Sequence, residues 1–206
     1  MAKHLLHLIT AGIILLGFGS SAAMAQPASR GPIDVPPVPA DIGVEEGHTV
    51  FMKGHAAGTQ NYICLPTDGG PKWTFVAPQA TLFQRFKGDS YQQNMTHFLA
   101  AVPPGVGSWL PSWLHSSDSS QVWARKKEDS DDSAYVEAGA IPWLLLEVVE
   151  QTPGPAGGAL LAQTTFIQRL NTSGGLAPAS TCTQIGALAL VPYTADYFFY
   201  RAGREK

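Results

Sequence analysis

Charge is scarce in this 206-residue chain: Asp, Glu, Lys and Arg make up only 14% of it, and the formal net charge is −3. So sparse and slightly acidic a balance excludes the basic footprint of a nucleic-acid-binding surface. It also argues against long, solvated helices. The strong motifs of catalysis and cofactor binding are missing as well. There is no Gly-x-Ser-x-Gly elbow, no phosphate-binding loop, no dinucleotide glycine fingerprint and no His-Glu-x-x-His pair, so no motif assigns an enzyme and no cofactor is predicted. Past residue 25 no apolar run reaches the roughly 18 residues that a membrane-spanning helix needs. Cysteine is limited to Cys64 and Cys182.

What is present begins with Lys3-His4, a largely apolar run from Leu5 to Phe18, and small residues ending Ala23-Met24-Ala25. That order is the order of a cleavable signal peptide, with cleavage expected after Ala25. His7, Thr10 and glycines 12, 17 and 19 weaken the run as a membrane span. With no cysteine at the cleavage site and no twin arginine before the run, neither a lipid anchor nor twin-arginine export is indicated. The expected organisation is a signal peptide over 1–25, a Pro-rich extended segment over 26–42 and a single β-rich domain over 43–206. Prolines 27, 32, 36, 37 and 39 make the middle segment polyproline-like rather than packed. The expected location is periplasmic or secreted, an oxidising setting in which Cys64 and Cys182 would pair. Two buried thiols are the plain alternative.

Glycine and proline, at 21 and 16 residues, mark many turns. Between them lie short β-favouring runs: 48–53, 59–65, 72–76, 80–84, 121–124, 143–149, 162–170 and 195–200. Their spacing predicts an all-β or mainly β fold, a single antiparallel sandwich or barrel with long irregular loops. Tyr62 and Cys64 face one side while Asn61 and Ile63 face the other, and Pro142 before Trp143-Leu144-Leu145-Leu146 favours a buried strand over a helix. Residues 100–120, rich in proline, glycine and serine, predict a long irregular loop. Residues 126–132 predict a charged, solvated loop tip, and 152–158 a hairpin connection.

Several phrases resemble a family of secreted proteins known as the domain of unknown function DUF3455. They are Gly58-Thr59-Gln60-Asn61-Tyr62-Ile63-Cys64, the run from Trp73 to Leu82, Ile141-Pro142-Trp143-Leu144-Leu145-Leu146, the run from Phe166 to Gly175, Ala177-Pro178 with Cys182, and the run from Val191 to Tyr200. His97-Phe98, Trp113 and Asp118-Ser119-Ser120 resemble further family positions. Ser119 stands where that pattern carries a turn glycine, and 99–110 is expanded. The resemblance implies an exported β domain and no particular reaction.

Three sets of residues bear chemistry. His97, His115 and Asp118 combine two imidazoles with a carboxylate, a set able to hold a divalent metal or, through His97 and Asp118, to run acid–base catalysis. The plain reading is a histidine that caps a loop or bonds in the core. Trp109 and Trp113, beside His97, could offer a stacking platform to a sugar or other flat ligand, although aromatics more often fill β cores. Arg169 could bind an anion, and pairing with Asp196 or Glu147 is the expected alternative. Asn94 and Asn171 fit the N-glycosylation rule. The expected function is a ligand-binding or envelope-associated module whose partner is a small molecule, sugar or envelope component. A metal-dependent or hydrolase-like enzyme and a structural envelope protein are the rivals.

Overall fold

Alternation of inward and outward side chains runs through eight strands: β1 (His48–Leu65), β2 (Lys72–Arg85), β3 (Tyr91–Ala101), β4 (Trp109–His115), β5 (Gln121–Ser130), β6 (Trp143–Thr152), β7 (Phe166–Gly174) and β8 (Leu188–Ala202). In the computed structural model each strand pairs antiparallel with the next, and β8 returns to β1 to close a barrel. Closure removes every free sheet edge. The structure describes residues 32–85, 90–103 and 108–203, and 33–206 form one compact unit. The expected signal peptide, 1–25, lies outside the described residues. Antiparallel order places the β1–β2, β3–β4, β5–β6 and β7–β8 connections at one end. Cys64 and Cys182 are bonded there, Cα atoms 5.8 Å apart, so this is the disulfide end.

The all-β expectation holds, and the barrel is the form it takes. Strands are longer than the short runs predicted, because glycines 54 and 58 are not breaks. A Cβ on Gly58 would lie 2.1 Å from the Gln79 carbonyl oxygen, and one on Gly54 2.9 Å from Leu82 Cδ2. These glycines let neighbouring strands and core side chains approach. Pro78 is also tolerated within β2, since β2–β3 pairing begins only at Gln79–Phe98.

Two expected loops are strands. Residues 100–120 contain the end of β3 and all of β4, with 104–107 outside the described residues. Pro111 fits because β4 pairs with β5 only over Ser112–Leu114, leaving its missing N–H without a ladder partner on that side. The charge-rich residues after Lys126 continue β5 to Ser130 against β6. Their backbone is paired except at Lys127, where the register shifts, while Lys126, Lys127, Glu128 and Asp129 reach solvent, so charge did not preclude a strand. The connection after Thr152 does join antiparallel neighbours β6 and β7.

Apolar side chains form two clusters. One fills the barrel with Met52, Leu82, Met95, Trp113, Ile167, Tyr197 and Phe199. The second covers the outside of β6, β7 and β8 with Trp143, Leu145, Phe166, Leu170, Phe198 and Tyr200. Ile33, Val35, Val38 and Val44 pack onto the second cluster and Ile42 is fully buried in it. Over its described residues the Pro-rich stretch carries no regular element before a single 3-10 turn at Ala40–Ile42, and from Ile33 onward it is packed, against the expectation of an unpacked segment. Its prolines fix the direction, and the aliphatic residues between them cover an outward face that would otherwise be wet.

Candidate functional site

At the end opposite the disulfide, the short β4–β5 turn gathers polar groups around Asp118. Its Oδ1 accepts from the Ser120 amide (3.0 Å) and hydroxyl (2.7 Å), and His115 Nδ1 lies 3.0 Å away. Its Oδ2 accepts the Leu160 amide at 2.9 Å, and the Ser120 hydroxyl oxygen accepts the Leu161 amide at 3.0 Å. Leu161 is fully buried among the barrel-filling residues. Asp118 and Ser120 thus clamp the β6–β7 connection, whose Leu161 stoppers this end. Burial disfavours the ionised carboxyl, but the bonds from Leu160 and Ser120, with His115 alongside, outweigh it and hold Asp118 down at about 2. Glycine is required where the clamped loop crosses the turn: a Cβ on Gly158 would sit 2.4 Å from Asp118 Cβ.

Inside the barrel, His97 on β3 and Trp113 on β4 are cross-strand partners. Their rings stack at 4.1 Å with planes 12° apart, and Tyr197 leans on both. His97 Nδ1 is 2.9 Å from the Ser112 carbonyl oxygen, so the neutral ring donates there and its Nε2 is an acceptor. Burial, opposed by the Ser112 bond and reinforced by the Arg169 charge, lowers His97 to about 3 and keeps it neutral. Trp113 is fully buried. It is a core residue covered on one face by His97, not part of a surface platform. Trp109 begins the same strand and is 66% exposed.

Towards the disulfide end the interior turns polar. Arg169 pairs across the strands with Leu144 and Tyr197 and donates from Nη2 to the Pro142 carbonyl oxygen at 2.8 Å. Its charge acts on Tyr62, Tyr193, Tyr197 and His97. The Tyr193 and Tyr197 hydroxyls are 3.3 Å apart, and burial pushes both phenols up. Pairing of Arg169 with Asp196 or Glu147 does not occur. Asp196 faces outward, where it binds Lys53, His55 and Asn171, and Glu147 stands opposite Phe166. Sequence reasoning missed this because Arg169 sits between outward-facing Gln168 and Leu170, and one flipped position changes its whole environment.

The candidate residues are therefore distributed. His115 and Asp118 meet, while His97 is bound separately to Ser112; among the described residues, no three His, Cys, Asp or Glu are grouped to hold a metal. Asn94 is buried, and Asn171 donates to Asp196. An open acidic groove of about 460 Å³ runs past Glu45, His48, Glu147 and Glu150 on the outside. Lys127 already neutralises Glu45 there.

No match was found among curated proteins or among solved structures. The sequence profile of one family spans residues 45–201, nearly the whole barrel, and by that match the chain belongs to the family described as "Protein of unknown function (DUF3455)".

Proposed function

We propose that this protein is an extracytoplasmic binding module that takes a small, largely apolar ligand at the disulfide-end mouth of the barrel. The observation that carries this reading is where exposed apolar area lies. Of the large hydrophobic residues exposed among the described residues, Tyr91 stands apart, while Tyr135, in the β5–β6 connection, lies at the disulfide end against Trp143. Leu65, Phe75, Val76, Trp109, Leu176, Ile185, Leu188 and Leu190 all belong to strand ends or loops of the disulfide end. Apolar surface concentrated in one region of a monomer marks an interaction site. Phe75 packs edge-on against inward-facing Tyr62, centroids 5.7 Å apart, and Trp109 shares the Trp113 face of β4. These two line the mouth itself.

Extracytoplasmic placement is supported by the signal-peptide pattern of residues 1–25 and by the disulfide. No helix of the described residues is long and apolar enough to cross a membrane. The enzyme reading through His97 and Asp118 has less behind it, because both Asp118 oxygens are engaged by its own turn and by Leu160.

The test is a tryptophan-fluorescence titration of the disulfide-bonded protein with small amphiphiles such as octanol and benzyl alcohol, repeated on Trp109→Ala and Phe75→Ala. Saturable binding that weakens several-fold in both variants is expected. Binding unchanged in both would remove the mouth as the site.

A further inference from the structure

The strongest unexplained feature of the molecule is a cation placed in the barrel without a counterion. Among the described residues no carboxylate lies within ion-pair distance of Arg169, and its Nε is buried with no hydrogen-bond partner. Beside it the interior holds donors and no acidic side chain. Gln60 is 3% exposed, and its Nε2 makes no well-formed hydrogen bond, only a loose approach to the Tyr193 hydroxyl. Gln60 and Tyr193 flank the same backbone, since a Cβ on Gly175 would lie 3.1 Å from Gln60 Cγ and 2.9 Å from Tyr193 Cβ. Tyr193 reaches Tyr197, and Tyr197 is the cross-strand partner of Arg169. Unsatisfied buried donors are costly and uncommon, and a part-buried cation that lacks a counterion adds to that cost. Two such donors, one of them on a guanidinium, mark a place built to receive an acceptor.

We infer that Arg169, with Gln60, Tyr193 and Tyr197, forms an oxyanion anchor inside the mouth that binds the carboxylate of an otherwise apolar organic acid. The inference rests on the mouth being the ligand site and adds the ligand's class. A guanidinium offers adjacent N–H groups to the two oxygens of a carboxylate, and with Nη2 held by Pro142 the fork is oriented before the ligand arrives. Arg169 remains part-exposed. One cation matches one negative charge, and the apolar remainder of the acid would lie against Phe75 and Trp109 at the rim.

The experiment compares matched pairs on the folded, disulfide-bonded protein: octanoate with octanol, benzoate with benzyl alcohol, and inorganic phosphate alone. Each acid is expected to bind about tenfold or more tightly than its alcohol. Arg169→Gln should erase that difference by weakening the acids far more than the alcohols. Gln60→Glu, which sets a negative charge beside the anchor, should do the same and serves if Arg169→Gln does not fold. Acid and alcohol binding equally would overturn the anchor and leave the mouth standing. Neither binding would overturn both. Phosphate binding more tightly than either acid would overturn the organic acid as the ligand.

Discussion

His97 lies flat against Trp113 inside the barrel, ring centroids 4.1 Å apart, with its Nδ1 on the Ser112 carbonyl and no room in that arrangement for a charge. Burial is the main reason its proton affinity falls to about 3 from the ordinary 6.5. The unfolded chain takes up the proton below 6.5 and the folded one does not, so acidification favours the unfolded state from 6.5 down to about 3. Within that window His97 makes stability fall by up to about 1.4 kcal/mol per pH unit. Replacing it with phenylalanine keeps a ring over Trp113 and removes the titration. His97→Phe is expected to cost about 1 kcal/mol at pH 7 through the orphaned Ser112 carbonyl. Urea midpoints between pH 7 and 4.5 should then show the variant losing stability less steeply than the wild type. Parallel slopes would show that His97 titrates normally.

Asp118 acts in a lower window and with the opposite chemistry. Its carboxyl is held at about 2 against an ordinary 3.8. The stability it contributes is therefore complete above about 4 and is lost as pH falls through 2. Asp118→Asn should be less stable than wild type at neutral pH, and the gap should narrow towards pH 2. The clamp predicts a local effect too: amide exchange at Leu160 and Leu161 should quicken in the variant before the barrel unfolds. If exchange at both amides is unaltered, Asp118 does not hold the stopper in place.

A sandwich or barrel was legible because residues alternate between two faces, as at Tyr62 and Cys64, and because turn residues punctuate the chain. Strand ends were not, because a glycine or proline acts differently in context. Gly58 serves close approach and Pro111 lies where β4 lacks a neighbour, and composition alone cannot separate these from turns. His97, His115 and Asp118 were visible as chemistry-bearing residues, but only pairing registers reveal that His97 faces Trp113 while Asp118 faces Leu160. Arg169 was the hardest to place. Its inward face follows from the strand register against Tyr197, a relation that spans 28 residues of chain and leaves no local signal.

Ser119 has φ 57°, a left-handed conformation, and its side chain is exposed. The turn glycine of the resembling family pattern would adopt that geometry freely, whereas a side chain there costs about 1 kcal/mol or more. Ser119→Gly is expected to raise stability by about 0.5–1 kcal/mol, the larger entropy of the unfolded glycine taking back part of the gain. Ser119→Val, β-branched, should lower it by more than 1 kcal/mol. Thermal melts of the two variants should move in opposite directions. A loss in both would mean that the serine makes a contact that outweighs the backbone strain.

Ile42 is fully buried on the outside of the barrel, and its carbonyl accepts a 2.7 Å hydrogen bond from the Gln168 side chain, which in turn accepts one from the Tyr200 hydroxyl. Gln168 is itself almost wholly buried, so the segment before β1 satisfies a polar group that the outer cluster would otherwise leave dry. Ile42→Ala should therefore cost about 2–5 kcal/mol, as for any large aliphatic removed from a packed site. Deleting residues 33–42 from the protein should cost more, since it exposes Trp143, Phe166 and Phe198 and strands the Gln168 amide together. The two effects can be told apart by combining each with Gln168→Met. The apolar side chain relieves the stranded amide, so it should recover part of the stability lost by deletion but none of that lost in Ile42→Ala, where the backbone carbonyl is still present. Chemical denaturation of the four variants measures this directly, and equal responses to Gln168→Met in both backgrounds would show that the Gln168–Ile42 bond does not tether the segment.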